Sequence, residues 1–244
     1  MHEMKRLKTR DSVSPHATGG LSPKVWSVPG WLLPLACALL PVIAVHWAWW
    51  LSRAAGYIPD CIPHLEGCTS ISRAARHGTG NVIFKLLMIP AAAVQGWHWW
   101  RCAAWLDKTA GREWARGLRP LGIVAGVALA VYATFLGTEG AAYGWLRRYG
   151  IVFYFAGTFC AMVVFLRGLA QTTTPPAWRR AMLALTFTML GLGLASVATP
   201  LVVAGDVRQD QVRDVLEWWI GGLFTFWSLL HSAFFARVSP RATG

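Results

Sequence analysis

Long apolar runs separated by short polar connections set the pattern of this chain. The first extends from about Trp31 to Leu51 (WLLPLACALLPVIAVHWAWWL), and others cover roughly 81–106, 121–138, 150–166, 181–204 and 215–236. A spanning helix needs roughly 20 mostly apolar residues, because each residue rises ~1.5 Å and the hydrocarbon layer is ~30 Å thick. These runs are near that length, and they have almost none of the polar face of a soluble amphipathic helix. No backbone amide can stay unpaired in hydrocarbon, so helices are expected. A transmembrane barrel would instead show alternating segments of ~10 residues. The pattern predicts an all-α integral membrane protein, a six-helix transmembrane bundle forming one domain over residues 31–237.

The polar connections give an orientation. Fifteen of the 23 Lys and Arg residues fall in an N-terminal arm, in loops 107–120 and 167–180, near Arg101, or in the tail. The opposite side holds 8, and 7 of the 11 acidic residues nearly balance them. Basic residues in short loops mark the cytoplasmic face, so both termini are expected in the cytoplasm. The formal charge of +12 then reflects topology and anionic lipid. Its scatter over four segments argues against a nucleic-acid partner. Residues 1–30 are basic and rich in Ser, Pro and Gly, as expected of a disordered cytoplasmic arm, and residues 238–244 form a cytoplasmic tail. The first run is too long for a cleaved signal peptide and lacks a small-residue cleavage site. Many of the 15 tryptophans bunch at run ends (Trp47, Trp49 and Trp50; Trp97, Trp99 and Trp100; Trp218 and Trp219), the pattern of headgroup-level anchors.

The long outer loop, residues 52–80, holds most of the candidate chemistry. Three of the five cysteines, Cys37, Cys102 and Cys160, lie inside runs, where a thiol acts as a small apolar group. Cys61 and Cys68 sit seven apart in DCIPHLEGC, on the side where thiols oxidise. A disulfide is the favoured reading; a metal pair with His64 and free thiols are the alternatives. Tetrahedral zinc would want a fourth ligand, so no metal site is assigned. In the following TSISRAARHG, Thr69 or Ser70 suits a helix cap, and Arg73 and His77, four apart, would share a face, either receiving phosphate or carboxylate or belonging to an interfacial helix whose cations meet headgroups and neighbouring acids.

Polar groups at membrane depth are costly, so each one invites a role. Lys85 lies near the outer end of the second run, Glu139 ends the third, and Arg147 and Arg148 open the fourth. Either Lys85–Glu139 or Glu139–Arg147 pairing neutralises this charge, or Lys85, Glu139 and Arg147 join Arg73, Arg76 and His77 in an outer lipid-headgroup cluster. His98 and His231 could share a depth, which raises haem ligation. His98 sits among span-end tryptophans, however, so histidines bonded to backbone or water are expected, with no cofactor. Gly122, Gly126 and Ala130, and Gly157 with Ala161, have the small-residue spacing of close helix packing.

Together, the six spans, the long first outer loop and the stretches CTSISRAARHG, NVIFKLLMIPAA, ATFLGTEG and LRRYGIVFYF resemble the DRAM/Frag/Sfk family (CWH43-type N-terminal domain), in particular bacterial members. The resemblance covers about Trp31 to Arg237. It implies a multi-pass protein of the bacterial inner membrane concerned with lipid, but no catalytic residues to carry across. The leading expectation is a non-enzymatic protein that binds or organises membrane lipid through Arg73, Arg76, His77, Lys85, Glu139 and Arg147. Lipids are the expected partners, with self-association or another membrane protein as a further class. One alternative is a lipid-modifying enzyme with Ser70 or Ser72 as nucleophile, His64 or His77 as base and Glu66 or Asp60 as orienting acid. A small transporter or channel is the other.

Overall fold

The computed structural model describes residues 28–238, and the N-terminal arm and most of the tail lie outside the described residues. Within them the chain is helical throughout. Six long helices are α1 (Leu32–Ala54), α4 (Gly78–Thr109), α5 (Arg112–Phe135), α6 (Ala141–Leu169), α7 (Pro176–Val202) and α8 (Asp206–Val238). Two single-turn helices, α2 (Pro63–Glu66) and α3 (Ile71–Ala74), lie in the long loop. Five helices, α1 and α5 to α8, are long and apolar enough to cross a membrane, which defines a multi-pass membrane protein.

The sixth long helix, α4, has 32 residues but lacks a stretch as continuously apolar as those of the other five, being interrupted by Lys85, Gln95, His98 and Arg101. Its position explains this composition. It packs against α1 on one side and α5 on the other, and its Gln95 and His98 side chains are buried. Gln95 Nε2 donates to Thr158 Oγ1 of α6 (3.4 Å), and Thr158 Oγ1 donates to the Tyr154 carbonyl (2.7 Å).

The helices run past the apolar segments of the sequence. α4 and α5 absorb nearly all of the predicted 107–120 loop, leaving only Ala110 and Gly111 between them, and α8 begins nine residues before its predicted span. Polar turns need not unwind on leaving the membrane, because the cooperative backbone ladder simply continues into water. Pro41 and Pro90 lie inside α1 and α4 without ending them. Both ends of the described chain meet at one end of the bundle. There, Ser232 Oγ donates to the Trp31 carbonyl (2.8 Å) and Arg101 to the Val28 carbonyl (3.2 Å).

Packing is tightest where small residues let backbones approach. Gly122 faces the Trp99 side chain, and Gly157 faces Leu121 and Ala125. A Cβ on Gly126 would stand 2.9 Å from the Ala92 carbonyl oxygen and 3.3 Å from Gly96 N. The expected small-residue spacing therefore serves α4–α5 and α5–α6 contact. Gly191 of α7 faces open space, and α7 packs chiefly on α8, touching α6 lightly. Of the expected tryptophan anchors, Trp47, Trp50, Trp97, Trp100 and Trp219 are exposed, but Trp99 and Trp218 are buried. Trp99 fills the notch at Gly122, and Trp218 has found a buried carbonyl partner.

Replacing Gly126 by leucine should destabilise the bundle by about 1–3 kcal/mol through overpacking. A thermal melt in detergent reads this directly; Gly191→Leu should leave the midpoint unchanged or slightly raised.

Candidate functional site

The long loop is bound onto the first turns of α8. Trp218 Nε1 donates to the Thr69 carbonyl (2.8 Å), and Trp219 Nε1 to the His64 carbonyl (3.1 Å). Ser52 Oγ at the end of α1 donates to the Ala74 carbonyl (2.6 Å). Asn81 Nδ2 bridges the Ala75 and Leu136 carbonyls (2.9 and 3.0 Å), tying the loop to the end of α5. Cys61 and Cys68 are joined by a disulfide, their Cα atoms 6.5 Å apart. Between them Gly67 adopts φ 60° and lies so close to the Gln211 backbone that no side chain would fit.

This docking gives each residue of TSISRAARHG a place. Ser70 caps α3, its Oγ accepting from Arg73 N (3.1 Å), and its hydroxyl lies 3.2 Å from that of Ser72. Arg73 Nη1 donates to Asp214 Oδ2 of α8 (3.1 Å), and the Asp214 side chain is nearly buried. The Glu217 carboxylate, one turn further along α8, faces the backbone amides of Ile71 and Ser72. Arg73 and His77 do not share a face. α3 ends at Ala74, and His77 instead stacks on Tyr57 (5.4 Å between ring centres) at the entrance to α4.

Neither expected charge pairing forms. Glu139 is exposed, and neither it nor Lys85 has an ion-pair partner among the described residues. Arg147 Nη1 donates to the carbonyls of Phe135 and Thr138, closing the end of α5. The hydrolase candidates do not assemble either. Asp60 pairs with Arg53 (2.6 Å), Glu66 accepts from the Ile62 amide (2.8 Å), and His64 lies against Trp218 (4.9 Å) and His46 (5.8 Å). No hydrogen bond among the described residues links Ser70 or Ser72 to a histidine.

Beneath this docked loop lies a cavity of about 940 Å³ between α6, α7 and α8. It exists because α6 and α8 meet through side chains, Phe224 reaching Tyr154 (5.8 Å) and Phe155 (6.3 Å), while α7 stands off from α6. Its loop end is polar, lined by Ser70, Ser72, Arg76, Arg147, Arg148, Asp210, Arg213, Asp214 and Glu217. Its deeper part is apolar, lined by Ile151, Phe155, Phe159, Met162, Leu190, Leu194, Ile220 and Phe224 among others. Val152, Leu194 and Val197 line the cavity and are also more than half exposed, so it opens sideways between α6 and α7. Arg76, Arg147 and Arg148 have no carboxylate partner among the described residues, whereas Arg213 lies 3.8 Å from Asp210.

Four of the sequence candidates therefore converge on the cavity: Ser70, Ser72, Arg76 and Arg147. Arg73 lies behind its rim, and His77, Lys85 and Glu139 are not part of the lining. The acidic half of the rim, from α8, was absent from the sequence reading. The available signal was the four-residue spacing of Asp210 and Asp214 with Glu217 a turn on, which puts carboxylates on one face. The geometry defines an all-helical, multi-pass membrane protein with an amphipathic side cavity. Comparison with protein families, with characterised proteins and with solved structures finds no match to this chain.

His64 gives the docked loop a pH dependence. Burial against Trp218, and then the neighbouring His46 ring, lower its pKa below the ordinary value of about 6.5. An undocked loop takes up a proton first as pH falls through that value, so docking weakens on acidification. The thermal midpoint of the wild-type chain should fall more between pH 7 and pH 5 than that of His64→Gln. Parallel pH curves for the two proteins would contradict the assignment.

Proposed function

We propose that this protein binds membrane phospholipid in the cavity between α6, α7 and α8, its headgroup at the arginine-rich rim and an acyl chain along the apolar wall. The observation carrying this reading is the division of one 940 Å³ cavity into a charged end and an apolar body that opens sideways. Binding sites for small molecules span roughly 300–1,000 Å³, so the space suits a large part of a lipid. Arg76, Arg147 and Arg148 supply donors for phosphate, and charge-assisted bonds of that kind are the stronger ones. The carboxylates of Asp210 and Glu217 favour a headgroup that also carries an amine. For the enzymatic alternative, neither Ser70 nor Ser72 is hydrogen-bonded to a histidine among the described residues.

Six membrane crossings belong to the same reading, with α4 crossing in the shelter of α1 and α5. An even number of crossings agrees with the meeting of Trp31 and Ser232 at one end. Cytoplasmic termini are supported by the distribution of Lys and Arg, and by the Cys61–Cys68 disulfide on the opposite end, where an oxidising compartment favours it. Placement in a bacterial inner membrane and kinship with the DRAM/Frag/Sfk family are part of this proposal, resting on the sequence stretches that suggested them.

Lipid mass spectrometry of gently purified protein tests the site. Arg76→Glu combined with Arg148→Glu should lower retained phospholipid at least ~100-fold, equivalent to losing two charge-assisted hydrogen bonds of about 1.5 kcal/mol each. Gly193→Trp, directed into open space on the cavity wall, should lower it without touching the rim. Retention unchanged in both variants would refute the assignment. A reporter fused to the C-terminus should be shielded in intact cells, and labelling of it from outside would reverse the proposed orientation.

A further inference from the structure

Two helices bring together a second set of groups, outside the cavity lining and close to the end of the bundle where Trp31 meets Ser232. His98 and Cys102 are one turn apart on α4, so their side chains stack on the same face. The Cys102 sulfur lies 3.6 Å from His98 Nε2. From α8, His231 inserts its ring against His98, centres 4.9 Å apart and planes at 79°. One ligand atom from each of the three residues can be chosen so that all lie within 4.8 Å of one another, and all three residues are buried.

His231 is the observation that points to a ligand. It is fully buried, and neither of its ring nitrogens has a hydrogen-bond partner among the described residues. Rings of Phe165, Trp227 and Phe235 surround it, with centres at 4.6, 4.7 and 4.9 Å. A phenylalanine would fill that box without stranding two polar atoms, so aromatic packing alone does not account for an imidazole there. A haem does not fit, because the two imidazoles touch and leave no gap for a porphyrin between them.

We propose that His98, Cys102 and His231 form a monovalent copper site. A thiolate with two imidazoles is a soft donor set suited to copper or zinc. Charge decides between them. Cu(I) with one thiolate and two neutral imidazoles has no net charge, whereas Zn(II) in the same set leaves a positive charge buried among aromatic rings at high cost. Structural zinc also takes four protein ligands, and three come together here among the described residues. On binding, the Cys102 S–H bond breaks, a Cu–S bond forms and the proton passes to bulk water, with no change of oxidation state.

The test uses tag-free, full-length protein in detergent, loaded anaerobically with Cu(I) alone and challenged with the Cu(I) chelator bicinchoninate. One tightly held copper per chain is expected, with an X-ray absorption spectrum fitted by one sulfur and two nitrogen ligands. Cys102→Ser and His231→Phe should weaken retention at least ~100-fold, beyond the 10–100-fold typical of an outer-shell partner. Cys37→Ser and Cys160→Ser should retain the metal. Equal copper retention in wild type, Cys102→Ser and His231→Phe overturns the proposal, as does preferential retention of Zn(II) on the same residues. The wild-type absorption spectrum needs no variant to fold, and a spectrum without sulfur is equally fatal.

Discussion

Inside a hydrocarbon layer there is no water to satisfy a stray donor or acceptor, and the structure is organised around that shortage. The backbone meets it by forming helices. Side chains meet it by local bonds, such as Thr186 and Thr199 to the carbonyls four residues before them, or by reaching across helices, as Gln95 does to Thr158. Trp227 Nε1 finds Thr186 Oγ1 in the same way (3.1 Å), joining α8 to α7. Among the described residues Trp49, Trp99, Trp114 and Arg119 each leave one buried nitrogen unpartnered, and the His231 imidazole leaves two.

The long loop extends the same logic to the bundle's edge. Its two short helices would expose their carbonyls if they stood free. Docked, the loop gives the His64 and Thr69 carbonyls to Trp219 and Trp218 of α8, the Ala74 carbonyl to Ser52 of α1 and the Ala75 carbonyl to Asn81 of α4. The disulfide limits the loop's freedom, and Gly67 lets it approach the α8 backbone. The loop in turn fixes α8 relative to α1 and α4, placing Asp214 and Glu217 beneath α3. A charged rim thus arises from the contact of a loop with a helix that are over a hundred residues apart in sequence.

Packing is uneven around the bundle, and the unevenness makes room for function. α4, α5 and α6 approach through glycine and alanine, giving a dense half. α7 presents bulky residues such as Leu194, Val197 and Leu201 outward and leaves a seam against α6. The cavity opens at that seam, as it must if its occupant arrives from the bilayer. The imidazole–thiol cluster sits in the other environment, the aromatic core of Trp99, Phe165, Trp227 and Phe234, where nothing gives way easily.

The amino-acid order alone determined the helical, membrane-spanning character, because a run of apolar side chains is unaffordable in water whatever its neighbours. It also marked the small-residue contacts of α4, α5 and α6, and singled out TSISRAARHG, since capping and backbone approach are local properties. It could not say where polar groups meet. Only the fold sets Asp214 opposite Arg73, and only the fold closes α8 over His98. Both outcomes depend on which helices become neighbours and how they rotate about their axes. Mostly apolar faces constrain that rotation weakly, so the cavity, its acidic half and the His98–Cys102–His231 cluster were decided by tertiary packing.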